Sequence, residues 1–131
     1  MKKLLSLGIA ILAILLGPVC SLSQAQEDAR RNLEVGSAFF IKGEYENSIP
    51  PYRRALEQEK VKQTLPRDLW RVLIDNLGMA YGITGDLKKA KETFEYGLSK
   101  DPKYPMFHYN MACTYAEMDD MDKAIEYLER F

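Results

Sequence analysis

The chain has 131 residues, of which 47% are hydrophobic and 28% charged, with a formal net charge of −1. This length suits one domain with a modest core. A nucleic-acid-binding surface needs a clustered excess of lysine and arginine. The near-neutral composition argues against that class, so we expect no nucleic-acid partner.

The first residues have the pattern of a secretory signal peptide. Two lysines precede an apolar run over residues 4–16, which is too short to span a bilayer comfortably. Ser23 and Ala25 then place two small residues with one residue between them, as a cleavage site requires. We expect residues 1–25 to be removed and the mature chain to be exported to the periplasm or cell envelope. An uncleaved segment would be a membrane anchor, and a lipid-modified Cys20 is the weaker alternative.

The first pair of helices is predicted over about residues 29–62. A turn around Gly43 separates them, and the second helix starts near Tyr45. Pro51 falls inside that helix and is expected to kink it or displace its start, because proline lacks the backbone donor. The apolar face of the first helix is formed by Leu33, Val35, Gly36, Phe39 and Phe40.

Eight extra residues, roughly 63–70, follow this pair. Pro66 suits the first turn of a helix and Thr64 could cap it, so the third helix is expected to begin near Pro66. Trp70 is the only tryptophan. We expect it to pack against the first helix pair, with a contact to a partner as the alternative.

The clearest pattern in the chain runs from residue 71 to residue 104. Apolar residues recur at steps of three and four, stop at Gly85, resume, and end at Pro102, which indicates two helices joined by a short turn. The positions that carry this pattern are Ile74, Leu77, Tyr81, Leu87, Ala90, Phe94 and Leu98.

This stretch resembles the tetratricopeptide repeat, a 34-residue helical hairpin. Ile74 stands where the family's aromatic residue usually stands, and the other signature places are filled by Leu77, Gly78, Tyr81, Ala90, Phe94 and Pro102. The five positions from Leu77 to Phe94 recur elsewhere in the chain. A forward shift of 34 residues places them on Met111, Ala112, Tyr115, Ala124 and Leu128. A backward shift of 42 residues places them on Val35, Gly36, Phe39, Ser48 and Tyr52. The resemblance implies an all-α fold, a helical-hairpin solenoid of about three tetratricopeptide repeats in a right-handed superhelix. The repeats would occupy about residues 29–62, 71–104 and 105–131 of a domain spanning 26–131.

The third repeat, from Pro105 onward, is expected to be incomplete. Its turn contains Asp119, Asp120 and Asp122, but the spacing lacks the glycine and glutamate of a calcium loop, so turn formation and helix capping are predicted instead. No closing proline and no polar outer helix follow Leu128. Terminal repeats usually need a polar outer face. We therefore expect either a truncated chain or an apolar end that self-association or another segment covers.

No constellation for catalysis stands out. His108 and Cys113 lie five residues apart on a predicted helix, so their side chains point about 140° apart and cannot form a nucleophile–base pair. A packing role is expected for His108, and Cys113 is expected to be a small buried or groove-lining side chain. There is no phosphate-binding glycine loop and no paired-cysteine motif. The sequence therefore predicts no enzyme, no cofactor and no metal site.

The resemblance also implies that the first helix of each hairpin lines a concave groove. Here those positions are Leu33, Ser37, Phe40, Asp75, Met79, Ile83, Met106, Tyr109, Cys113 and Glu117. The set is mainly apolar and aromatic and would suit an extended or helical peptide. Family members with a carboxylate clamp use groove Lys, Arg and Asn to hold a chaperone's acidic C-terminus. Leu33, Ser37, Asp75 and Met79 depart from that pattern, so that partner is not expected.

Three functions remain open at this point. The first is an exported, non-catalytic adaptor that binds a protein or peptide in the groove. The second is the N-terminal sensing or assembly module of a longer protein. The third is an enzyme, which the residue inventory opposes.

Overall fold

Six α-helices and no strand make up residues 23–131, the part of the chain that this computed structural model describes. Nearly all of the predicted signal segment, with Cys20, lies outside these residues, so that interpretation stays a prediction. No helix within 23–131 is long and apolar enough to cross a membrane. The helices are α1 (residues 23–41), α2 (Tyr45–Val61), α3 (Arg67–Ile83), α4 (Leu87–Lys100), α5 (Pro105–Glu117) and α6 (Met121–Leu128).

From α2 onward each helix packs against the next one in sequence, and α3 also contacts α5. Helix α1 packs on α2 through Gly36 and Tyr52. The hairpins therefore stack side by side, with the first helices of the second and third hairpins adjacent. One apolar core runs through the stack, and its largest fully buried apolar side chains are Tyr52, Leu73, Ile74, Leu77, Phe94, Phe107 and Met111. This arrangement confirms the predicted all-α solenoid.

The turns within the three hairpins each contain one residue with positive φ. Gly43 and Gly85 have φ values of 77° and 91°, and Asp119 holds the equivalent place in the third turn with φ of 60°. Only glycine adopts this left-handed region without steric cost, although aspartate tolerates it better than most residues. The next residue in the second and third turns, Asp86 or Asp120, accepts a hydrogen bond from a backbone N–H of α4 or α6. The aspartates of the third turn are thus turn-forming and capping groups, as predicted.

The two prolines do not displace the start of α2, which begins at Tyr45 and continues through both of them. The predicted start near Tyr45 is therefore confirmed, and of the two alternatives expected for Pro51, a kink or a displaced start, the displacement does not occur. Ser48 explains the outcome, because its backbone N–H donates to the Glu44 carbonyl and its hydroxyl to the Tyr45 carbonyl at 2.7 Å. The first turn is thus held together before the proline at residue 50 removes its donor.

Helix α3 begins at Arg67, which confirms the early start predicted near Pro66. Thr64 does not cap it. Instead, the Thr64 hydroxyl and backbone N–H donate to the carboxylate of Glu59, which is 4% exposed and also accepts from Leu65. The inserted segment is therefore tied back to the end of α2.

Trp70 is buried, with 4% of its surface exposed, so its side chain is not available to a partner. The rings around it are Tyr96 of α4, at 6.3 Å between centroids, and Phe107 of α5, at 5.9 Å. Its aromatic neighbours thus lie on the second and third hairpins rather than the first.

Within the first two hairpins, an aromatic ring lies directly on a glycine of the partner helix. A Cβ built on Gly36 would come 2.5 Å from Tyr52, and one built on Gly78 would come 2.3 Å from Phe94. Both distances are far inside van der Waals contact. The helices of these hairpins can therefore approach this closely only because the glycine has no side chain.

We expect Gly78→Ala to lower the free energy of unfolding by about 1–3 kcal/mol, because the new methyl group overpacks the Phe94 ring. Gly82→Ala, one turn further along the same helix, is the matched control, since its nearest neighbour would be the Ala90 Cβ at 3.9 Å. That change should be neutral or stabilise the protein by up to about 1 kcal/mol. Urea unfolding measures both, and equal effects of the two substitutions would contradict this packing.

Candidate functional site

An open depression of about 450 Å³ lies between α3 and α5. Five of the ten predicted groove residues line it: Met79, Ile83, Tyr109, Cys113 and Glu117. The rest of its lining includes Leu87 and Phe94 from α4. Ile83 is 57% exposed and Tyr109 43% exposed, so these apolar groups face solvent. Among the described residues, Glu117 is the one charged side chain of the lining, and no Lys, Arg or His of 23–131 contributes to it.

The other predicted groove residues on α1 serve packing. Leu33 is 4% exposed and belongs to the core, so it offers no surface to a partner. Ser37 accepts a hydrogen bond from the Tyr52 hydroxyl, which in turn accepts one from Asn76 at 2.9 Å. Phe40 packs edge-on against Tyr45, with 5.1 Å between ring centroids. These contacts connect α1, α2 and the neighbouring α3.

Asp75 and Met106 also lie outside the depression. Met106 is 39% exposed in the first turn of α5. Asp75 is buried, and its carboxylate accepts hydrogen bonds from Asn110 at 2.8 Å and from the Tyr104 hydroxyl at 3.2 Å. Asp75 therefore fixes α3 against α5 beside the groove instead of facing a partner.

Burial raises the pKa of Asp75 from 3.8 to about 6, although the hydrogen bonds from Tyr104 and Asn110 and the nearby Arg71 oppose the shift. Arg71 and Arg67 also bind Asp101 at the end of α4, at 2.7 and 3.0 Å. Burial alone would raise the pKa of Asp101, but the hydrogen bonds from both guanidinium groups outweigh it and hold the pKa below its usual range. The Arg–Asp101 contacts thus hold the two helices of the second hairpin, and the Asp75 hydrogen bonds join this hairpin to the third. Arg71 lies between the two groups, 4.3 Å from the centroid of the Tyr104 ring.

Sequence reasoning missed these polar contacts. The repeat register did place Asn76 and Asn110 at equivalent positions. Each donates across a hairpin boundary, Asn76 to Tyr52 and Asn110 to Asp75. An asparagine repeated at one position of the repeat register was therefore the signal for an inter-hairpin hydrogen bond.

His108 and Cys113 face different neighbours. The Nε2 atom of His108 lies 2.7 Å from the carbonyl oxygen of Pro102, and its ring packs near Tyr127 of α6. Cys113 is exposed in the groove, where its hydrogen bond with Tyr109 raises the pKa of that hydroxyl. No group of three or more His, Cys, Asp or Glu side chains that could hold a metal occurs among residues 23–131.

The outer face of α6 carries exposed apolar side chains. They are Met121 at 57%, Ile125 at 52% and Leu128 at 49%, and Phe131 just beyond the helix is 61% exposed. Phe94, which holds the place of Leu128 one repeat earlier, is buried beneath the following hairpin at 2%. Self-association through this face stays a prediction.

The fold and the groove define a class of stacked helical-hairpin scaffolds, and comparison with known proteins identifies the repeat. Residues 73–104 and residues 93–126 each match a family model described as tetratricopeptide repeat. The chain therefore contains tetratricopeptide repeats, as its motif indicated. Such repeats generally mediate protein–protein interaction and are typically non-catalytic scaffolds with extended binding surfaces.

Solved structures with the same fold share little sequence with the chain. The second TPR of Spaghetti (RPAP3), bound to HSP90 peptide SRMEEVD, has a TM-score of 0.69 at 20% identity, covering 82% of this chain and 92% of that one. MamA AMB-1 has a TM-score of 0.67 at 18% identity, covering 93% of this chain and 67% of its own. MamA MSR-1 has a TM-score of 0.65 at 18% identity, with coverage of 91% and 70%. Comparison with curated proteins produced no significant match.

We expect the pKa of Asp75 to appear in the pH dependence of stability. The folded protein binds this proton more tightly than the unfolded chain, so the contribution is present below pH 3.8 and is lost as pH rises to about 6. Asp75→Asn removes the titrating group. The melting temperature of the wild type minus that of this variant should therefore fall between about pH 4 and pH 6 and stay level above it. A difference that is constant or rises across that range would contradict a raised pKa.

Proposed function

We propose that this protein is an exported, non-catalytic adaptor that binds a segment of a partner protein in the groove between α3 and α5. The observation that carries the proposal is the open depression in which Ile83 and Tyr109 expose apolar surface to solvent beside the half-buried Met79. Exposed apolar groups that line a concave surface are typical of sites that take up side chains of a peptide.

The rigidity of the surrounding structure supports this proposal. Helices α3 and α5 are held by the Asp75–Asn110 hydrogen bond, and α3 is held to the end of α4 by the Arg71–Asp101 ion pair. A groove with fixed walls loses less conformational entropy on binding than a mobile surface does. Met79 remains adaptable because its unbranched side chain can adjust to the bound segment.

The second TPR of Spaghetti supports a peptide ligand for this fold, since it is bound to the HSP90 peptide SRMEEVD. That peptide carries three carboxylate side chains. The groove here has no cationic lining and contains Glu117. We therefore propose a peptide of different chemistry for this protein.

Photo-crosslinking in the cell that makes the protein tests the proposal. In one variant of the full chain, a photoreactive phenylalanine analogue replaces Met79. In the matched control the analogue replaces Val61, which is 90% exposed at the end of α2. Crosslinks to a partner protein are expected from position 79 and not from position 61. Cleavage of the predicted signal peptide would make the recovered protein begin at Gln26, whereas a start at Met1 would contradict cleavage and favour the membrane anchor.

A second experiment separates binding from folding by measuring partner capture and helicity in the Met79→Glu and Tyr109→Glu variants. Each change places a charge in the groove, so capture of the crosslinked partner should fall at least about tenfold, while helicity by circular dichroism is retained. The same substitution at residue 61 should leave capture unchanged. Capture that survives both groove substitutions would mean that the partner binds elsewhere.

A further inference from the structure

The charges around the groove are distributed unevenly. The turns between α1 and α2, α3 and α4, and α5 and α6 border it at one edge, which we call the turn edge. A second depression, lined by Glu44 and Glu46, adjoins the groove there, and the two share Ile83. Glu117, the charged residue of the groove lining, lies at the same edge at the end of α5.

Most acids of the turn edge have no cation to balance them. Asp86 is paired with Lys89 and Asp120 with Lys123. Five further carboxylates of these turns make no ion pair within residues 23–131, against one unpaired ammonium, that of Lys42. The five are Glu44, Glu46, Glu117, Asp119 and Asp122, and all are exposed.

The backbone contributes little net charge at the turn edge. Helices α3 and α5 end there, but α4 and α6 begin there, so partial negative and partial positive helix ends lie side by side and the unpaired carboxylates determine the potential. The apolar groove thus ends at a surface that attracts cations and repels anions. Complementary potentials of this kind select partners and fix the direction in which they bind.

We infer that the bound segment is apolar and carries lysine or arginine at the end that reaches the turn edge, beside Glu117 and Glu46. Its apolar side chains occupy the depression lined by Met79, Ile83 and Tyr109. An acidic segment is excluded, because its carboxylates would meet unpaired acids with no cationic lining to hold them. This inference rests on the proposed function, since it names the chemistry of the partner for the same groove.

A random peptide library displayed on phage and selected on the purified protein tests the inference. The enriched peptides should combine apolar residues with an excess of Lys and Arg at one end. Their affinity should fall about two- to fivefold for each of Glu117→Gln and Glu46→Gln at low salt, and the loss should shrink as ionic strength rises. Glu34→Gln is the matched control, because Glu34 is exposed on α1 without an ion pair and lies outside the turn edge.

Two other outcomes are distinguishable. Peptides that lose binding with Met79→Glu but carry acidic or uncharged ends would overturn the inferred partner chemistry and leave the groove as the binding site. Failure to enrich any peptide, or enriched peptides that bind the Met79→Glu variant as well as the wild type, would overturn both the inference and the proposed function.

Discussion

The contact between an aromatic ring and a glycine within a hairpin is the constraint on which the rest of the structure depends. Phe94 lies on Gly78, and Tyr52 lies on Gly36 in the hairpin before it. The absent side chain lets the two helices approach, and the ring then fills the space between them. Because each hairpin buries only part of its apolar surface, this close pairing sets the shape of the face on which the next hairpin stacks.

The polar contacts between hairpins depend on that packing. Tyr52 extends its hydroxyl from the glycine contact to Asn76 on α3, so one side chain both packs the first hairpin and connects it to the second. In the next hairpin the ring is Phe94, which has no hydroxyl, and the connection passes to Asp75 and Asn110 instead. These bonds hold α3 and α5 at the separation that leaves the apolar groove open between them.

The fold could be predicted from the sequence because its signals are local and repeated. Spacings such as Leu77–Tyr81 and Ala90–Phe94 indicate helix faces, and Gly43 and Gly85 indicate the turns. The start of α2 at Tyr45 was predicted, but the continuation of the helix through Pro50 and Pro51 was not. It depends on the Ser48 hydrogen bonds that hold the first turn, which the general effect of proline on helices does not reveal.

The groove could be predicted only in part. The resemblance to the tetratricopeptide repeat implies that the first helix of each hairpin lines the groove, and this was enough to bring Met79, Ile83 and Tyr109 together. It does not show which residues on that side are buried by a neighbouring helix. Leu33 is covered in this way, and Asp75 is used for a hydrogen bond between helices, because both depend on side chains distant in sequence.

The measurement that tests this account most directly is a double-mutant cycle on Gly78→Ala and Phe94→Leu. The third repeat carries the same combination naturally, with Ala112 and Leu128 at the equivalent places. If contact between the Phe94 ring and Gly78 sets the spacing of α3 and α4, Phe94→Leu should relieve the overpacking that Gly78→Ala introduces. The double variant should then be more stable than the sum of the single losses predicts, by about 1 kcal/mol in urea unfolding. Strictly additive losses would contradict the account, because the two positions would then not limit each other.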